Sequence, residues 1–438
     1  MIFLKSDINN KGALLITVLS VFFAMLPGVF SILFYLFLFC VILFKYNYSP
    51  IVFFILGAVL VGNELLFASV IELSILKYLL IFSFFLMTVR QRLNSSYSNK
   101  MIVYLILIFC LILAHSLFFS QILSLSLLKL INWFLFIFSM FCFFSNLDDE
   151  IRLKIMEGLN IALSVLIVCS LPLLGIPEIG YLRNGMGFQG FTNQPQAFGS
   201  FVGVFAILNL LLFFKNKKLH YIAFFSLGIF LIILSQSRTA GLAYVLSFAT
   251  ILTMIFLSRY QRFFVYNFSR NSIYYVFFLI LIMPLIIIFN INYLFDYINK
   301  RGSSAIGEGE TSRSGLISNM MNNINSYFAE GIGFGLPSDL DLSDASYLPL
   351  LNLPISVPAE KGVLYIAIFE ELGVLFGFFV IILILLISFH RFNSNVYLPI
   401  IVFVLGTNIA ENTFFSIGGV GLMLSIFYIA SVKFKKLN

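Results

Sequence analysis

Runs of apolar residues long enough to cross a bilayer recur along this chain, and they restrict its fold more than any other feature. Inside hydrocarbon no water reaches the backbone, so every N–H and C=O must be paired within the protein, which favours helices. A bilayer core takes about 20 apolar residues per helix, fewer where helices are short or re-entrant. That ruler predicts about fourteen segments, starting near Gly12, Val29, Pro50, Ser69, Met101, Gln121, Glu157, Ala197, Tyr221, Thr239, Ser272, Val363, Val396 and Thr413. Pro27-Gly28 marks either a tight hairpin or a kink in one bent element. The expected fold is an all-α integral membrane protein, a polytopic bundle of about 12–14 transmembrane helices with one long extracytoplasmic loop.

Composition agrees. Hydrophobic residues make up 61% of the chain and charged residues 10%, against about 25% charged in soluble domains. Cys40, Cys110, Cys142 and Cys169 lie within apolar runs without paired spacing, and are read as packing residues. His115, His220 and His390 share no motif, so neither a metal site nor a cofactor is expected. No nucleotide-binding loop is present, which argues against ATP-driven pumping. The first apolar run follows Lys5 and Lys11 without a small-x-small cleavage pattern, so no cleaved signal is expected.

Basic residues orient the chain. Arg90/Arg92/Lys100, Lys215/Lys217/Lys218, Arg259/Arg262/Arg270, Arg391 and Lys433/Lys435/Lys436 all fall on one side when fourteen spans are counted (roughly one per apolar run), together with both termini. That side is expected to be the cytoplasm. The net positive charge thus comes from membrane orientation and requires no nucleic-acid partner. Asp148–Glu157, slightly acidic, is the one inside segment that runs against the rule.

The expected organisation is N-terminal transmembrane helices over 1–176, central helices over 177–293 with a short external loop at 177–196, a long extracytoplasmic loop over 294–362, and C-terminal helices over 363–438. The polar stretch Asn292–Gly362 carries four basic and eight acidic side chains, a net of −4 in a chain of +7. Loops longer than about 15 residues are uncommon without a function, so this one marks the working end.

Four external stations follow. Arg183–Ala197 is glycine-rich, with Arg183, Asn193 and Gln194 offering donors where a helix begins; a plain turn with Asn/Gln caps is the alternative. Ser235-Gln236-Ser237-Arg238-Thr239 places an arginine among hydroxyls at a helix junction, suited to bidentate phosphate binding or to snorkelling. The long loop offers Arg301, then Ser312-Arg313-Ser314, then a helix with an apolar face of Leu316, Met320, Ile324 and Phe328, then Gly331–Gly335. Last comes Glu360-Lys361-Gly362, with Glu370 and Glu371 one to two turns into the next helix, where structural pairing is expected.

In order, spacing and sidedness these stations resemble the O-antigen polymerase and ligase superfamily of bacterial envelope glycosyltransferases. The matching residues are the turn Gly190–Pro195, Ser235–Arg238, Ser312-Arg313, Gly331–Gly335 and Glu371-Leu372-Gly373. Ligases of that family carry a histidine at the end of the long loop; here Glu360 stands approximately there, so the Wzy-type polymerase branch is the better match. The resemblance implies a GT-C-like fold in the bacterial inner membrane with its active site facing the periplasm. It also implies undecaprenyl-diphosphate-linked oligosaccharides as substrates and a chain-length regulator as partner. Glu360, Arg238 and Arg313 would then be catalytic, the first as general base and the arginines on the leaving diphosphate. Arg183, Asn193, Gln194, Ser237 and Arg301 would bind phosphate or sugar. The alternatives are an O-antigen ligase, and a flippase or other secondary transporter, which would gather its polar residues near the bilayer midplane.

Reporter fusions test the orientation. Fusions after Lys218, Arg262 and Lys436 should read cytoplasmic and one near Asp341 external; an external signal at Lys218 would overturn the helix count.

Overall fold

The computed structural model describes residues 9–28, 30–73, 75–92, 100–181, 187–260, 312–339, 346–348, 353–356, 361–390 and 395–432. The helices are α1 (Asn10–Met25), α2 (Phe30–Phe44), α3 (Ser49–Leu60), α4 (Glu64–Glu72), α5 (Leu76–Arg92), α6 (Lys100–Phe119), α7 (Leu123–Ser145), α8 (Asp149–Ser170) and the short α9 (Pro177–Gly180). There follow α10 (Pro195–Asn216), α11 (Leu219–Ser235), α12 (Arg238–Tyr260), α13 (Ser312–Ser326), α14 (Leu364–Ser388), α15 (Leu398–Thr407) and α16 (Gly419–Ser431). Between α13 and α14 an antiparallel ribbon, β1 (Ser346–Leu348) and β2 (Leu353–Ser356), pairs Tyr347 with Pro354 and Leu348 with Leu353. The all-α expectation therefore describes the bundle, and the long loop adds this ribbon.

Among the described residues, six helices are long and apolar enough to cross a membrane: α6, α7, α8 with its extension to Gly175, α10, α12 to Phe256, and α14. The pair α4 and α5, bent by 66°, makes a seventh if it is one broken span. Shorter apolar helices (α1, α2, α3, α11, α15 and α16) complete the bundle. The fold is that of a polytopic helical membrane protein.

Most helices begin beside their expected starts. Pro27-Gly28 forms a hairpin, with Gly28 left-handed at φ +64° and α1 packed on α2. α8 begins well before Glu157, since Asp149 and Glu150 favour the positive end of a helix and extend it by polar turns. α16 begins at Gly419 instead of Thr413, because Asn408–Gly418 is a turn. The segment expected near Ser272 lies outside the described residues.

α10 is the central post, with every side chain from Ala197 to Phe214 buried. Gly199 and Gly203 form a small-xxx-small pair that lets other helices close on it. A Cβ on Gly199 would lie 2.4 Å from the Ser237 side chain at the start of α12, and one on Gly203 2.3 Å from the Phe403 ring in α15. At mid-depth Asn160 of α8 and Asn209 of α10 exchange hydrogen bonds of 3.1 and 3.0 Å, so neither carboxamide is stranded in hydrocarbon.

Because consecutive helices alternate in direction, the loops sort to two ends. One end gathers Val61–Asn63, Ser120–Gln121, Gly187–Pro195, Ser235–Arg238, Gly331–Leu336, Lys361–Leu364 and Asn408–Gly419, tied by bonds such as Asn63 N–H to Phe191 O (2.8 Å) and Gln121 N–H to Ile332 O (3.1 Å). The other gathers Tyr46–Tyr48, Asn216–Lys218, Asn395–Tyr397 and Val432, where Arg152 donates to the Val432 carbonyl (3.0 Å) and Asn395 to that of Ser431 (2.9 Å). Lys215, Lys217 and Lys218 lie at this second end, away from the glycine-rich loops.

The α15–α16 turn is built on Asn408, which is fully buried. Its Oδ1 accepts from Thr413 N–H (2.9 Å), Thr413 Oγ1 (3.2 Å) and Phe414 N–H (3.0 Å), and its Nδ2 donates to Val404 O (2.7 Å). Asn408→Ala strands these donors. We expect a loss of about 1–3 kcal/mol for each group left unpaired, read as a lowered Tm of the detergent-solubilised protein; an unchanged Tm would show that the turn is held by other contacts.

Candidate functional site

At the first end the loops form two polar clusters. The first is the meeting of the glycine-rich turn with the α11–α12 junction. Phe188 N–H donates to Leu234 O (2.9 Å) and Asn193 N–H to Val61 O (2.9 Å), so backbone bonds hold the turn. Gly187 passes so close that a Cβ would lie 2.6 Å from the Ser235 carbonyl oxygen, which only glycine tolerates. Thr192 and Gln189 of the turn add side-chain bonds, from Thr192 Oγ1 to Gln189 O (2.8 Å) and from Gln189 Nε2 to Ile179 O (3.0 Å). Gln194 precedes α10 without capping it. The Asn193 Oδ1 and Ser237 Oγ are buried and have no hydrogen-bond partner among the described residues. Arg238 opens α12, is exposed, and has no partner among the described residues. Gln236 before it holds a left-handed φ of +50°, which lets the chain reverse between α11 and α12.

The second cluster forms where α14 breaks. Gly373 has φ +68° and ψ 167°, and the carbonyls freed just before it take N–H groups from the Gly331–Leu336 turn. Ile332 donates to Glu370 O and Gly333 to Glu371 O, each at 2.9 Å, while Val374 N–H donates to Phe328 O at 2.9 Å. Non-helical backbone at such depth is tolerated only where protein satisfies it. The side chains continue the pattern. Lys361 Nζ lies 2.8 Å from Glu370 Oε2 and 3.0 Å from Glu371 Oε1, with the lysine side chain 1% exposed and the two carboxylates 0% and 7%. Glu370 also accepts from Asn323 Nδ2 of α13 (2.7 Å) and Ser338 Oγ (3.1 Å), and Glu371 from Gly335 N–H (2.7 Å). From the bundle, Lys129 of α7 donates to Gly335 O and the His115 Nε2 of α6 bonds Glu330 O.

The α15–α16 turn packs against the second cluster's loop and the start of α14. Leu364 N–H donates to Asn408 O (3.2 Å), Phe415 meets Phe334 edge-on at 5.4 Å, and Trp133 Nε1 donates to Phe414 O (3.2 Å).

The structure thus brings Asn193, Gln194, Ser237 and Arg238 to one end of the bundle. Arg183, Arg301 and Glu360 lie outside the described residues. Arg313 sits in the first turn of α13, its side chain likewise outside the description. Glu370 and Glu371 pair as expected, and both with Lys361, whose ammonium is buried with them. The apolar face expected for α13 is present at Met320, which is buried, but Phe328 is 61% exposed because the helix ends at Ser326. Sequence reasoning missed Lys129, Asn323 and Ser338. An isolated lysine within the apolar run of α7 was the available signal; nothing in the sequence marks Asn323 among its neighbouring asparagines.

No family model, no curated protein and no solved structure matches the chain.

The break at Gly373 can be tested directly. A Cβ there would lie 2.2 Å from the Ala329 carbonyl oxygen at a backbone angle that costs non-glycine residues about 1–3 kcal/mol. Gly373→Ala should lower the Tm, whereas Gly362→Ala, with nothing within 4 Å of the added carbon, should leave it unchanged. Equal Tm values for both variants would mean that the break does not need glycine.

Proposed function

We propose that this chain is a membrane glycosyltransferase that polymerises oligosaccharide repeat units carried on undecaprenyl diphosphate into O-antigen or capsular polysaccharide, at the outer face of the bacterial inner membrane. The observation that carries the reading is Arg238: an exposed arginine with no partner among the described residues, at a helix N-terminus, beside the buried unpaired Ser237 Oγ and at the same end of the bundle as the polar loop. A guanidinium binds phosphate through two parallel N–H groups and stays charged at any working pH, and the α12 N-terminus adds positive potential.

In the proposed reaction a hydroxyl of the incoming lipid-linked unit attacks the anomeric carbon of the growing glycan. The bond from that carbon to the diphosphate oxygen breaks, the hydroxyl proton passes to Glu360 as general base, and undecaprenyl diphosphate leaves with the bonding pair. Negative charge grows on the diphosphate as the bond breaks. Arg238 and Arg313 stabilise it, while Arg183, Arg301, Asn193, Gln194 and Ser237 hold phosphate and sugar. Fixed donors of this kind are worth on the order of 100-fold in rate each. The transporter alternative draws less support, because the carboxamides Asn160 and Asn209 within the bundle satisfy each other, while Asn193 Oδ1, Ser237 Oγ and Arg238 lie together at one end. A ligase is disfavoured by the absence of histidine from the external loops.

Surface glycan is the readout. A deletion strain should carry single repeat units on its lipid acceptor, and complementation with Arg238→Lys should behave nearly as Arg238→Ala does, since lysine keeps the charge without the fork. A wild-type length ladder from Arg238→Lys at normal protein level would remove Arg238 from the phosphate role. A deletion strain with no surface glycan at all would favour a flippase or ligase.

A further inference from the structure

The ionised groups at the α14 break do not form an open site. Glu370 and Glu371 face the ammonium of Lys361, and Lys129 is near enough to act on both Glu371 and Lys361. Each carboxylate is taken up by the Lys361 ammonium and by further hydrogen bonds. The bonding directions run outward to three separate elements. Glu370 holds α13 through Asn323 and the chain after the glycine turn through Ser338. Glu371 holds the turn itself through Gly335 N–H, and Lys129 takes the Gly335 carbonyl from the side of α7. Asn323 also donates to Ser338 O at 2.8 Å, so α13 and the end of the turn are joined to each other as well as to α14.

We propose that Lys361, Glu370, Glu371 and Asn323 are positioning residues, a clasp that fixes α13, and with it Arg313 in its first turn, on the broken helix α14 at the membrane end. The part of this inference that concerns the reaction rests on the function proposed above. An arginine that stabilises a leaving diphosphate must be placed to within a fraction of an ångström, and a misplacement of about 1 Å costs on the order of 100-fold. A helix borne on a long loop has no such precision of its own. The clasp supplies it from the rigid bundle, and a carboxylate is suited to the task because charge-assisted bonds are about twice as strong as neutral ones. Glu370 makes three such contacts at once.

Two variants probe the clasp. Glu370→Gln keeps an acceptor for Asn323 and Ser338 but takes away the charge facing Lys361, and Asn323→Ala removes one tether without stranding a charge. In the full-length protein, with native cysteines replaced by alanine, spin labels at positions 325 and 409 report how α13 sits against the α15–α16 turn; Ile409 is exposed at 45% and Asn325 is exposed. The parent should give one narrow distance distribution, and both variants a broadened or shifted one. In vesicles supplied with lipid-linked repeat units, kcat should fall by roughly 10- to 100-fold while KM stays within about twofold, the signature of an interaction that matters in the transition state. An unchanged distance distribution in both variants would overturn the clasp whatever the activity, as would a broadened one with unaltered kcat. A parent protein that forms no polymer would sink the proposed function, and the distance measurement would still decide whether the clasp holds α13.

Discussion

A lysine ammonium with almost no access to solvent lies between two carboxylates that are just as deeply buried, and the placement of the polar loop depends on that arrangement. Buried ion pairs contribute little net stability, because each charge must first be stripped of water. Breaking one is another matter: the charge left behind costs about 3–5 kcal/mol. Lys361, Glu370 and Glu371 are therefore a poor source of stability, and losing Lys361 strands the two carboxylates. With Gly373 interrupting α14, the backbone carbonyls of the same two glutamates are freed to receive the glycine turn. Side chain and main chain act at one point on the glycine turn.

The same physics separates structural from uncommitted polar groups throughout the molecule. Some buried polar side chains within the bundle satisfy one another, as with Asn160 and Asn209 or the Tyr428 hydroxyl and Ser388 at 2.8 Å. Where a carboxamide organises a turn, its bonds are saturated, as at Asn408. The Asn193 Oδ1 and Ser237 Oγ are buried and unbonded among the described residues, as are the Gln189 Oε1 of the same turn and the Asn412 Oδ1. Leaving such an atom unpaired costs about 1–3 kcal/mol. Asn193 and Ser237 carry that cost at the end of the bundle that also presents Arg238.

Much of the bundle was legible in the sequence, because the bilayer forces a single periodicity on long apolar runs and charge then sets their boundaries. The starts of α6, α10, α12 and α14 follow from the residues at those positions. The sequence misled where polar residues extend a helix past the membrane, as at Asp149, and where an apolar run conceals a turn, as at Asn408–Gly418. Of the site, the glycine turn and the Ser235–Arg238 junction were visible as motifs, and the structure joins them through bonds such as Phe188 to Leu234. The second cluster was visible only in fragments. Its members come from α6, α7, α13 and α14, and the contacts His115–Glu330 and Lys129–Gly335 span hundreds of positions, so no local pattern records them. Lys361 stands beside Glu360 in sequence, but its partners in space are Glu370 and Glu371, one to two turns into the next helix.

Two arginines at helix starts show why Arg238 is the residue on which the functional reading turns. Arg152, in the first turns of α8, is buried and donates to the Val432 carbonyl at the end of α16. Its charge serves the helix C-terminus it meets, where a cation is favoured. Arg238 has no such compensation. It stands at the N-terminus of α12, where a cation is disfavoured by roughly 0.3–1 kcal/mol, and exposes its guanidinium with no ion-pair partner among the described residues. Helix stability alone would place aspartate, glutamate or a neutral cap there. An anion arriving at that point would reverse the balance, because the helix end, the guanidinium and the Ser237 hydroxyl would then act on one charge together. The arrangement is unfavourable empty and favourable once an anion is bound.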